Sequence, residues 1–209
     1  MKQKPIVEDG IIAGNVYDKY GTKNPLARVL VSRFLESVRE LVSRVEPSSI
    51  HEVGCGEGNL TRMLCSFDAT MRASDFSREV IAVARSGLTD LVDQVEWNIA
   101  SIYDLDPAVD AANLVVCCEV LEHLEQPERA LQVLSALARP WLLVSVPREP
   151  LWRVLNLLRG KYLGQLGNTP GHLNHWSTRG FTDFLATRFD LVELRTPLPW
   201  TIALCRTKE

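Results

Sequence analysis

Carboxylates and histidines at the ends of apolar runs are the residues in this chain whose types and spacing can do chemistry. The first group is His51-Glu52-Val53-Gly54-Cys55-Gly56-Glu57-Gly58, an acid followed at alternate positions by three glycines. Ser49 to Val53 before it predicts a short strand, and Asn59 to Leu64 after it predicts the opening of a helix. Glycines between a strand and a helix turn the chain sharply and let a ligand approach the backbone without Cβ interference. The spacing is not that of the dinucleotide fingerprint G-x-G-x-x-G, because Asn59 stands where its third glycine belongs. Glu52 and Glu57 would repel a pyrophosphate and suit a cationic ligand. The plain alternative is an ordinary tight strand-to-helix turn.

Asp75 follows a second candidate strand, Ala69 to Ser74. A carboxylate at that strand end can accept two hydrogen bonds from vicinal ribose hydroxyls, or can cap the next helix, a role Ser77 fills as well. The third group, Glu119-Val120-Leu121-Glu122-His123, follows the apolar run Asn113 to Cys118, and two further histidines lie in Gly171-His172-Leu173-Asn174-His175. Glu119, Glu122, His123 and His172 offer the mixed oxygen and nitrogen donors of a divalent-metal site, Mg2+ or another ion. His123 or His175 could instead serve as a general base, with Glu119 beside it, or the set could be structural.

Taken together these residues resemble the class I S-adenosylmethionine-dependent methyltransferases, whose first motif is an acidic residue, any residue, then G-x-G-x-G. The resemblance runs over roughly residues 45 to 205. It implies S-adenosyl-L-methionine as cofactor. Glu52, Gly54, Gly56 and Gly58 would position its methionine part, with Glu119 on the same sheet edge. Asp75 would hold the ribose, and Ser101 and Ile102 would edge the adenine, although many such enzymes carry Asp where this chain has Ser101. The pattern E-x-x-E-H with a later histidine looks like the metal-binding set of small-RNA 2'-O-methyltransferases and is similar to the motif of the ubiquinone-pathway O-methyltransferases. E-x-L-E-H also occurs in metal-free relatives, where it shapes the acceptor pocket. A sulfonium donor makes the transfer an in-line displacement limited by the nucleophile, so a metal-bound or base-activated oxygen fits. Methyl transfer to an oxygen of a small molecule is the expected activity. An RNA 2'-O-methyltransferase and a non-catalytic cofactor-binding subunit are the alternatives.

The elements that must position these groups alternate along the chain and predict an α/β fold: a doubly wound, mostly parallel, seven-stranded sheet with one antiparallel strand near the C-terminus. With 209 residues the chain suits a single domain over 1–209. Residues 1–46 form an N-terminal arm and a helix that starts at Pro25 with Asn24 as its cap, and Tyr17 to Tyr20 is either a lid or a packed arm. Two closing strands around Leu191 to Leu194 and Thr201 to Cys205 are joined too closely for a parallel crossover. Residues 147–177 are an insertion and a candidate acceptor lid, in which Leu151 to Leu158 predicts a helix with an apolar surface and a cationic edge. Between Pro147 and Gly180, Arg148, Arg153, Arg159, Lys161 and Arg179 stand against Glu149 alone, which suits an anionic or lipid-like acceptor, a membrane surface or simply a solvated face. The formal charge of -3 gives no global reason to expect nucleic acid. No apolar run reaches membrane-spanning length, and five cysteines without a C-x-x-C pair read as free thiols of a cytoplasmic protein.

Overall fold

The computed structural model describes residues 6–8, 11–14, 21–22 and 24–208. The Tyr17 to Tyr20 arm lies outside the described residues. Ile6–Glu8 and Ile11–Ala13 pair as a small antiparallel hairpin. Helix α1 spans Pro25–Val45, and the Asn24 side chain accepts the backbone N–H groups of Leu26 and Ala27 at its start. Its buried residues, Val31, Phe34, Val38, Leu41 and Val42, recur at three and four positions and form one apolar stripe.

From there strand and helix alternate: β1 Ser49–Val53, α2 Asn59–Leu64, β2 Thr70–Asp75, α3 Arg78–Gly87, β3 Val95–Ile99, α4 Pro107–Asp110, β4 Ala112–Cys118, α5 Pro127–Leu137 and β5 Ala138–Pro147. After α6 (Leu151–Leu158) and α7 (Thr178–Leu185) the chain closes with β6 (Phe189–Arg195) and β7 (Trp200–Thr207). The seven strands are ordered β3-β2-β1-β4-β5-β7-β6. All neighbours are parallel except β7, which runs antiparallel to both β5 and β6. The strand order reverses between β1 and β4, so the crevice beyond their carboxyl ends is the switch point where ligands of such sheets bind.

Two cores explain the central apolar run. Leu114 and Val116 of β4 face the side covered by α1 and α2, while Val115 and Cys117 face the side covered by α5 and α7. A strand buried on both faces has no polar alternation. Strand β5 begins three residues earlier than the apolar run at Trp141 suggests. The register slips at Arg139-Pro140, with Ala112 opposite Ala138 and Leu114 opposite Trp141. A proline without an N–H is tolerated where the ladder skips.

Candidate active site

The glycine loop leaves β1 with its three glycines at φ 77°, 54° and 78° for Gly54, Gly56 and Gly58. Gly54 and Cys55 donate their N–H groups to the Ser74 carbonyl at 2.8 and 3.0 Å, which ties the loop to the end of β2. A Cβ at Gly54 would run into the Val120 side chain, whereas one at Gly56 would meet nothing within 4 Å. Gly54 therefore serves close packing, and Gly56 borders open space.

Two acids, Glu52 and Asp75, flank this loop. Glu52 is 3% exposed, and its Oε2 accepts the Thr61 hydroxyl at 2.6 Å. Burial pushes its pKa up to about 8, with the Asp75 charge adding to the rise and the Thr61 bond opposing it. Asp75 Oδ2 accepts the Gly56 N–H and Oδ1 the Ser77 N–H, both at 3.0 Å. The cap of α3 is Ser77, whose hydroxyl accepts the Val80 N–H, so Asp75 is turned to the loop instead. Ser101 caps the short turn Ile102–Asp104 through the Tyr103 N–H, and Ser101 and Ile102 both border the same crevice. Cys55 is buried, and burial, with Glu52 and Asp75 adding to it, pushes its thiol pKa well up. It is not a thiolate nucleophile.

Beneath the loop His51 is fully buried between Asp110 and Ser74. The Asp110 carbonyl can only accept, so Nδ1 carries the proton and Nε2 accepts the Ser74 hydroxyl, which fixes a neutral imidazole. Desolvation lowers its pKa. This histidine braces β1 against β2 and does not border the cavity.

Glu122, His123 and His172 converge, each offering a ligand atom within 4.8 Å of the others. Glu122 and His123 sit in the short 3-10 turn Leu121–His123, and His172 comes from the insertion. That loop is laced to the turn: Leu173 and Asn174 donate their N–H groups to the Glu122 carbonyl at 2.8 and 3.0 Å, and the Asn174 amide reaches the Leu121 and Leu124 carbonyls. His123 Nδ1 donates to the Gly171 carbonyl at 2.9 Å, which puts its remaining ring lone pair on Nε2. The His172 ring meets His123 edge-on at 4.9 Å and stacks on Trp152 at 6.0 Å.

Glu119 does not belong to this set. It stands immediately after β4 with φ 60°, and its carboxylate accepts the Trp200 indole N–H at 2.7 Å and the Ser145 hydroxyl at 3.4 Å. A left-handed residue breaks the helical spacing that would have stacked Glu119 over Glu122 and His123. His175 is also placed elsewhere. It is exposed, its Nε2 donates to Asn168 Oδ1 at 2.7 Å, and it does not border the cavity. Thr61, Trp200 and Ser145 escaped the sequence reading because each acts through a partner distant in the chain or in a different element.

One cavity of about 780 Å³ joins these parts. Gly54, Asp75 and Ser101 line it, as do His123, His172 and Trp152.

Residues 51–140 match the family model of a methyltransferase domain. The ubiquinone biosynthesis O-methyltransferase of Xanthomonas axonopodis pv. citri (strain 306) is 30% identical over 165 residues, 74% of this chain and 66% of that protein. The chain belongs to the class I S-adenosylmethionine-dependent methyltransferases. It spans about two thirds of the length of that relative. Among solved structures, magnesium protoporphyrin IX methyltransferase (ChlM) from Synechocystis PCC 6803 with bound SAH superposes with a TM-score of 0.69 at 19% identity, covering 90% of each chain. The methyltransferase domain of bacterial CtHen1-C gives 0.69 at 18%, covering 86% of this chain and all of that one. These likenesses, at such identity, are of fold. They confirm the doubly wound methyltransferase sheet with its antiparallel strand.

Proposed function

We propose that this methyltransferase moves the methyl group of S-adenosyl-L-methionine to an oxygen of a small-molecule acceptor. The observation that carries the reading is one cavity lined both by the glycine loop with Glu52 and Asp75 and by the Glu122–His123–His172 cluster. In this reading Glu52 and the glycines take the cationic methionine part, Asp75 the ribose hydroxyls, and Ser101 and Ile102 the adenine edge. Residues 147–177 act as the acceptor lid. The lid is internally tied, since Asn156 donates to the Gly167 carbonyl at 2.9 Å and Trp152 Nε1 to the Thr169 hydroxyl at 2.9 Å.

The donor set of Glu122, His123 and His172 fits a divalent ion, with one carboxylate and two imidazoles close together and largely buried. When bound there, such an ion would lower the pKa of an acceptor hydroxyl. Without it, His123 Nε2 is the nitrogen able to take the hydroxyl proton as the oxygen–methyl bond forms and the sulfur–methyl bond breaks, leaving S-adenosylhomocysteine and a methyl ether. Both roles use the same nitrogen and exclude each other.

The test is methylation of a panel of catechols and phenols, run with chelator and with added Mg2+. Turnover abolished by chelator and restored by Mg2+ supports the ion, and full turnover in chelator supports His123 as base. Tight cofactor binding with no acceptor methylated would leave only a cofactor-binding subunit. The cluster is also the feature that an RNA 2'-O-methyltransferase would need, and a salt-dependent shift of RNA in a gel is the minimum that reading requires.

A further inference from the structure

The turn that carries Glu122 and His123 does not set its own direction. It is a single 3-10 turn, Leu121–His123, closed by the His123 N–H to the Val120 carbonyl at 3.0 Å and the Leu124 N–H to the Leu121 carbonyl at 3.3 Å. One turn fixes several dihedrals for few bonds and does not persist alone. Strand β4 does not aim it either, because the left-handed Glu119 interrupts the regular backbone between strand and turn. The orientation has to come from another segment.

Asn174 supplies it. Its amide nitrogen donates to the Leu121 carbonyl at 3.1 Å and to the Leu124 carbonyl at 2.6 Å, on either side of the pair Glu122–His123. Both partners can only accept, so both amide hydrogens are used and the sense of the amide is fixed. A hydroxyl in its place would have one hydrogen to give, and a carboxylate none. Asn174 is braced in turn from the core. Two residues on, the Trp176 ring packs on Phe181 and Phe184 at centroid distances of 5.8 and 5.4 Å, and the Trp176 carbonyl accepts the Glu149 N–H at 2.9 Å. Asn174 does not line the cavity, so it acts on the turn and not on a ligand.

His123 shows what this support controls. Its Nδ1 donates to the carbonyl of Gly171, three residues before Asn174, so turn and support must keep their mutual position for the proton to stay on Nδ1 and the lone pair on Nε2. An imidazole released from such a bond exchanges its proton between both nitrogens. Moving a reacting group by about 1 Å costs on the order of a hundredfold in rate.

We infer that Asn174 is a positioning residue of the candidate site, fixing the Leu121–His123 turn so that His123 keeps its proton on Nδ1 and its free nitrogen set for reaction. The effect on rate rests on the proposed methyl transfer, whereas the effect on the His123 tautomer does not.

The experiment compares Asn174→Ala, which removes both donors, and Asn174→Asp, which sets a carboxylate against two carbonyls, with Ser177→Ala. Ser177 caps α7 by accepting the Gly180 N–H at 3.1 Å, so its loss weakens the same segment without touching the turn. Thermal melting and S-adenosylhomocysteine affinity check that each variant is folded. If the first two fold poorly, Asn174→Ser, with one hydrogen left to donate, carries the same readout. Nitrogen-15 shifts of the imidazoles in chelator-treated protein report the tautomers, and the spectrum of His123→Gln identifies the His123 signals. Wild-type His123 should carry its proton on Nδ1. In the Asn174 variants its two nitrogens should move toward the averaged shifts of an exchanging ring, further for aspartate than for alanine. The kcat on any catechol or phenol that the wild type methylates should fall at least about tenfold in the Asn174 variants while S-adenosylhomocysteine affinity stays within about twofold, and Ser177→Ala should keep both within about twofold. An unchanged His123 tautomer in the Asn174 variants overturns the inference, as does full kcat in Asn174→Asp. The same tautomer change in Ser177→Ala also overturns it, because the cause would then be general loosening. A wild type that methylates no member of the panel counts against the proposed activity alone, since the tautomer comparison needs no acceptor.

Discussion

Replacing Glu52 by Gln should stabilise the free protein at neutral and alkaline pH while weakening its hold on a cationic cofactor. Glu52 is buried at the end of β1, and its pKa stands near 8 against an ordinary 4.5. Between those values the folded chain keeps a proton that the unfolded chain releases. The contribution is fully present below about pH 4.5 and is lost as pH rises through 8. At about 1.4 kcal/mol per unit, the loss is on the order of 3 kcal/mol by pH 7 and 5 kcal/mol by pH 9, with under 1 kcal/mol gone at pH 5. Glutamine never ionises and can still accept the Thr61 hydroxyl, so its stability lacks this slope. Any fixed cost of burying its amide is the same at every pH. His51, with its lowered pKa, makes both proteins lose stability as pH falls below about 6.5, and this cancels in the comparison. Urea unfolding at pH 5, 7 and 9 gives the difference between variant and wild type, which should grow by about 4 kcal/mol from pH 5 to 9 in favour of Glu52→Gln. A difference constant within about 1 kcal/mol over that range refutes the assignment of a buried, protonated carboxyl. Cofactor binding should show the reverse preference. If the bound cation requires ionised Glu52, wild-type affinity for S-adenosylmethionine rises about tenfold between pH 7 and 9 relative to the variant, as the ionised fraction climbs. Calorimetry in buffers of differing ionisation enthalpy should show the matching proton release.

The remaining expectations concern single groups. Gly54→Ala should cost about 2–4 kcal/mol, because its Cβ meets the Val120 side chain on a φ of 77°, whereas Gly56→Ala has open space and should cost about 1 kcal/mol; thermal melts of the two variants compare them. His172→Ala should reduce methylation at least about tenfold and His175→Ala by less than about twofold, since one lies in the cavity and the other outside it; equal losses in an initial-rate assay would contradict the placement. Trp200→Phe keeps ring packing on Phe34 and Trp152 but removes the donor to Glu119, and should lower unfolding free energy by about 1–3 kcal/mol in urea titration.

How far a sequence reveals such a site depends on the range of the interaction that builds it. The strand Ser49–Val53, the helix Asn59–Leu64 and the loop between them are legible because glycine spacing and apolar runs are local signals. The sheet order was legible as a class, since alternating strands and helices admit few topologies and a short link before Trp200 forces an antiparallel pair. The acids and histidines of the candidate cluster were legible in composition, and their grouping in space was not. E-x-x-E-H places its acids one turn apart only on a continuous helix, and the left-handed Glu119 ahead of the turn Leu121–His123 removes that premise. What then claims Glu119 is the indole N–H of Trp200, 81 positions later on a different strand. The choice between His172 and His175 is of the same kind, decided by Asn168 holding one ring outward and by Trp152 stacking on the other. A donor such as Trp200 leaves no periodicity in the sequence, because one hydrogen bond constrains one residue. Its effect is to hold a carboxylate apart from three convergent ligands, so that the cluster meets the cavity with Glu122 as its acid and Glu119 as a separately oriented neighbour.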